Sequence, residues 1–121
     1  MIPKRGKFER LDASVPIELR FLGETHSVLC DNIGGKGFRF SQNQKIEANT
    51  SLELTLYLPD EKPPFRAKGR VSWVRPQKTA DEEMTLFEIG VEFLEVKFQD
   101  RERIRQYVYR RLQRQKPPEG A

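Results

Sequence analysis

Little in this chain is equipped for covalent chemistry. Its 121 residues include one cysteine (Cys30), one histidine (His26) and one tryptophan (Trp73). A lone cysteine excludes an internal disulfide, and one histidine with one cysteine cannot assemble a zinc-type cluster. No Ser–His–Asp or Cys–His set has an orienting context. Long apolar runs are also missing. Nothing approaches the roughly 18 residues of a membrane span, and the opening MIPKRGKFER lacks the apolar run of a signal peptide. The expectation is a cytoplasmic protein without membrane insertion, metal or cofactor. Catalysis is not expected, which leaves binding.

The charge that is present is unevenly placed. Of a formal net charge of +4, the first ten residues hold +3 and residues 100–121 hold +4, so the body between them is acidic at −3. Cations at both ends of an acidic body suggest that an anion is met there.

Alternation of apolar and polar residues, the mark of a half-buried strand, recurs along most of the chain. One face carries Val15, Ile17, Leu19 and Phe21; a second carries Leu52, Leu54, Leu56 and Leu58. A third inward set is Phe65, Ala67, Gly69, Val71 and Trp73, and a fourth is Phe87, Ile89, Val91 and Phe93. Shorter strands over 27–31 and 37–41 flank the glycine-rich turn GGKG. Gly23 and Glu24 mark a hairpin, 59–64 a longer loop, and 79–83 another hairpin tip, while Gly69 inside a strand predicts a bulge. His26 falls beside the first of these turns and reads as a solvated turn residue.

Six such strands suit an all-β antiparallel barrel or sandwich, and a closed or nearly closed sheet would hide strand edges. After Phe98 the period changes to that of a helix. Asp100 is placed to cap it, and Ile104, Tyr107, Val108 and Leu112 form one stripe. The expected organisation is a flexible segment over 1–14 and a barrel over 15–98. A C-terminal amphipathic helix over 99–116 and a frayed tail over 117–121 complete it.

The pieces KRGKFERLDASVPIEL, NIGGKGFRF, GRVSWV and IGVEF follow one another in an order that resembles the PilZ domain family, the bacterial receptor module for cyclic di-GMP. The resemblance covers nearly the whole chain. It implies a six-stranded antiparallel split β-barrel with a C-terminal helix, in agreement with the periodicity. Ligand-binding members carry RxxxR before the first strand and [D/N]xSxxG below it. Here Arg10 matches the second arginine, while Gly6 stands in the place of the first and Arg5 lies one residue earlier. The second signature fits Asn32 to Gly37, with Gly34 in place of the serine. The resemblance therefore implies a cyclic di-GMP site formed by Arg5, Arg10, Asn32, Gly34 and Gly37, the ligand being taken either singly or as a stacked dimer. Arginine suits this task because its fork bonds guanine O6 and N7 together or clasps a phosphate.

The resulting expectation is a single-domain PilZ-type receptor or adaptor that binds the dinucleotide and signals by contact with a protein output partner. One alternative is a PilZ-like adaptor of motility, pilus or exopolysaccharide machinery that acts without ligand. Another is a small nucleic-acid-binding barrel, prompted by the arginine-rich helix. Against it, single-strand binders display aromatics on the outer sheet face. Here most aromatics fall on inward sets, with Tyr57 and Tyr109 the exceptions.

Overall fold

The computed structural model describes residues 10–59, 63–78 and 84–115. Eight strands and one helix follow in chain order: β1 (Arg10–Leu11), β2 (Pro16–Phe21), β3 (Glu24–Leu29), β4 (Asn32–Gly34), β5 (Gly37–Gln42), β6 (Ser51–Leu56), β7 (Phe65–Gln77), β8 (Leu86–Glu95) and α1 (Phe98–Gln115). The expected all-β fold with a C-terminal helix is what the chain adopts. Two strands beyond the expected six, β1 and β4, are too short to show any period. The hairpin tip expected over 79–83 and the tail over 117–121 lie outside the described residues.

All strands belong to one antiparallel sheet in the order β1-β4-β5-β8-β7-β6-β2-β3. In that order β3 and β4 stand six steps apart, about 29 Å if the sheet were flat. Yet only Cys30 and Asp31 link Leu29 to Asn32, a reach of about 11 Å at most. The sheet must therefore curl back on itself. Cys30 sits where the chain turns back: its amide N–H donates to the Val15 carbonyl at 3.1 Å, just past the end of the β2–β3 ladder, and its thiol donates to the Ala13 carbonyl at 3.1 Å, in the link between β1 and β2. Among the described residues no ladder joins β1 to β3, so the sheet is curled but not closed.

The inside of the curl is the core. Phe38, Phe40, Leu19, Leu54, Leu56, Val71 and Ile89 are buried in one cluster, as their alternation predicts. The helical stripe is buried too: Ile104, Tyr107 and Val108 are nearly inaccessible, each worth roughly 1.5–3 kcal/mol of burial. The helix packs against β1 and β4, and so braces the inner side of the two strands that carry Arg10 and Asn32. It begins before Asp100. The first intrahelical bond runs from the Arg101 N–H to the Lys97 carbonyl (2.9 Å), and Asp100 in the first turn instead faces Arg103 at 3.6 Å.

Two further local expectations are corrected. Trp73 does not join the core, because the β7–β8 register slips between Val71 and Trp73 and turns the indole to the outer face, 38% exposed. A second slip, at Lys68/Gly69, is the bulge Gly69 predicts. His26 is not a turn residue but lies within β3, its ring tilted against Phe21 with centroids 4.9 Å apart and its Nδ1 3.5 Å from the Gln42 amide oxygen. Tyr57 and Tyr109 are exposed, as read.

Candidate functional site

Ladder register decides which side chains meet on the outer face, since directly opposed residues of antiparallel strands share a face. One row runs Arg10, Gly34, Gly37, Glu92 and Arg70; its neighbour runs Asn32, Arg39, Gly90 and Trp73. The residues between them, Leu11, Ile33, Phe38 and Val91, point into the core. Burial of those side chains thus fixes the outward aim of Arg10, Asn32 and Arg39.

A polar network has formed across β1 and β4. The Arg10 Nε donates to the Asn32 Oδ1, and the Asn32 Nδ2 donates to the Asp12 Oδ1 at 2.8 Å. This arrangement sets the amide one way round, oxygen toward the cation and NH2 toward the carboxylate. The two terminal nitrogens of Arg10 make no hydrogen bond among the described residues. Partial burial, and then the like charge of Arg39, push the Arg10 guanidinium below its ordinary value. Arg39 is half-buried, and its Nε is buried without a hydrogen-bond partner. Two guanidiniums within Coulombic range, one of them under-satisfied, form a place where an anion would be stabilised.

Trp73 lies flat at the other end of the second row. A Cβ added at Gly90 would stand 2.2 Å from the indole Cε2 and Nε1, so only glycine lets the ring rest on β8. The guanidinium of Arg75 covers the ring at 4.9 Å, and Arg75 is itself held by Glu88, its Nε at 2.8 Å. Two cavities of about 660 and 560 Å³ open elsewhere on the outer surface, and none of these residues lines them.

The structure brings together four of the five residues singled out in the sequence: Arg10, Asn32, Gly34 and Gly37 stand side by side over β1, β4 and β5. The fifth, Arg5, lies outside the described residues, as does Gly6. Gly37 has a tighter reason to be glycine than close approach of a ligand. A Cβ there would meet the Val91 carbonyl oxygen at 2.0 Å, so the β5–β8 ladder itself excludes any side chain. Sequence reasoning passed over Arg39 and Trp73. No pattern along either strand marks them, because only the ladder sets both against Gly90. No group of three or more metal-ligating side chains occurs among the described residues.

The profile of the PilZ domain family matches residues 4–110. No curated protein sequence matches the chain. Several solved structures share its fold. The Bacillus subtilis inhibitor of motility MotI/DgrA superposes with a TM-score of 0.75 at 22% identity, over 96% of this chain and 55% of that one. The K. pneumonia MrkH–c-di-GMP complex gives 0.72 at 15%, over 95% and 57%. The PilZ domain with c-di-GMP of Escherichia coli YcgR gives 0.68 at 13%, over 92% and 93%. The chain thus spans little more than half the length of MotI and MrkH.

Proposed function

This chain belongs to the PilZ domain family, and from that premise we propose that it is a cyclic di-GMP receptor that signals through contact with another protein. The observation carrying the proposal is the Arg10–Asn32–Asp12 network standing beside Arg39, whose Nε has no partner. The free terminal nitrogens of Arg10 fork onto a guanine edge or a phosphate. Arg39 supplies the second cation, and the ligand's negative charge relieves the repulsion between the two. Trp73 offers its ring to a second guanine that displaces the Arg75 guanidinium from it. The bare backbone of Gly34 and Gly37 leaves the ground between Arg10 and Glu92 unobstructed. Arg5, singled out by the family resemblance, supplies a further cation for the ligand.

In this scheme the signal leaves through β1. Leu11 follows Arg10 directly and is buried in the core, where α1 packs on β1 and β4. A ligand that pulls on Arg10 therefore pulls on the strand that seats the helix. Calorimetric titration with cyclic di-GMP tests the site. Arg10→Ala should weaken binding about ten- to a hundredfold, the worth of a charge-assisted hydrogen bond. Heat unaffected by Arg10→Ala or Arg5→Ala would refute the assignment.

A second reading has its own support. Both ends of the Asn32 amide are already satisfied by Arg10 and Asp12, so the network can tie β1 to β4 without ligand. An adaptor indifferent to the nucleotide would recover its partner equally with and without cyclic di-GMP.

A further inference from the structure

The two cavities are parts of one groove. They share Arg20, Glu53, Lys68, Leu94 and Glu95, on the outer face of β2, β6, β7 and the end of β8. None of the residues assigned above to the nucleotide lines it. The ends of the groove differ in chemistry. Arg66, Lys97 and Arg101 line only the larger cavity, and their side chains make no hydrogen bond or ion pair among the described residues. Lys68 is held by Glu95 at 3.8 Å. At the other end stands Leu22, 89% exposed, with Leu94, 49% exposed, in the shared middle.

Leu22 is the unexpected residue. It opens the two-residue β2–β3 turn with φ of 49°, and Gly23 follows at 77°. Both central positions of such a turn require left-handed backbone, which favours Asn-Gly and disfavours a bulky side chain. A leucine held there, strained and almost wholly in water, gains nothing from this chain's own core. Its position on the rim of the groove gives it something to do.

We propose that this groove docks a peptide segment of a partner protein in which an apolar side chain adjoins acidic residues. Leu22 and Leu94 take the apolar anchor, and Arg66, Lys97 and Arg101 take the carboxylates. Glu18 and Glu53, also in the lining, accept backbone N–H groups of the segment and repel a polyphosphate chain, which disfavours nucleic acid as the occupant. The assignment rests on the reading that the chain signals by protein contact. It is independent of the nucleotide site, and its test is run without cyclic di-GMP.

The test is an amide-shift titration of the isotope-labelled full chain with synthetic pentapeptides, each a leucine flanked on both sides by two Asp or Glu residues. Shifts are expected at Arg20, Leu22, Lys68 and Leu94, about tenfold weaker when the leucine is glycine and lost when the acids are lysines. Leu22→Asn should raise the melting temperature, because Asn suits the turn, while weakening the peptide at least about fivefold. Arg66→Glu combined with Lys97→Glu should weaken it about tenfold or more. Any of these results would overturn the proposal: no groove shifts at millimolar acidic peptide; equal shifts with lysine peptides or inorganic phosphate; self-association through the groove without peptide; or unchanged peptide affinity in Leu22→Asn. A fall in both melting temperature and affinity in that variant would reduce Leu22 to a folding role and equally overturn it.

Discussion

Replacing Arg39 with methionine should make the protein more stable and a poorer receptor. The Arg39 Nε is buried without a partner, and the guanidinium repels Arg10. A buried, unsatisfied polar group costs about 1–3 kcal/mol. Methionine keeps an apolar stem of similar reach without that group. Allowing for lost packing, the variant should gain about 1 kcal/mol, which raises the melting temperature by roughly 3–6 °C in a domain of this size. The same change deletes one charge-assisted contact to the ligand, worth about 1.5–3 kcal/mol, so affinity for cyclic di-GMP should fall roughly ten- to a hundredfold. Differential scanning calorimetry and isothermal titration read the two effects on one preparation. A melting temperature that falls by several degrees would show the guanidinium to be structural. Unchanged affinity would remove Arg39 from the site.

Other outcomes follow from the same geometry. Gly37→Ala forces a methyl against the Val91 carbonyl and should destabilise the fold by about 1–3 kcal/mol, read by urea unfolding; a variant as stable as the parent but unable to bind would return Gly37 to a ligand role. Trp73→Ala should weaken cyclic di-GMP by about 1–3 kcal/mol through loss of a stacking surface, with little loss of stability because the ring lies outside the core. Burial pushes the Cys30 thiol above its ordinary value of 9.0, so the unfolded chain loses this proton first and stability should decline as pH rises through about 9. Cys30→Ala should remove that part of the alkaline decline, and identical pH profiles for variant and parent would contradict it.

Much of the fold was legible because one side of each long strand is buried. Leu52, Leu54 and Leu56 alternate with Glu53 and Thr55, and nothing but a half-buried strand explains that spacing. The helical stripe of Ile104, Tyr107 and Val108 was legible for the same reason. Trp73 was not, because its facing depends on a one-residue slip against β8, and no pattern within β7 alone records a partner's register. Asn32 and Arg10 could be found from motif order. Arg39 could not, since between Phe38 and Phe40 it looks like any outward residue of an alternating strand. Only the ladder, which sets it opposite Asn32 and Gly90, gives it a place in the site.

The central claim is that a guanine dinucleotide lies across the outer face from Arg10 to Trp73. Because Trp73 is the only tryptophan, its indole N–H gives one resolved nuclear resonance. Titration with cyclic di-GMP should move that resonance to saturation, together with the amides of Asn32 and Gly34, while cyclic di-AMP moves none of them. An indole signal that stays in place at millimolar cyclic di-GMP, or that both dinucleotides shift alike, would contradict the account.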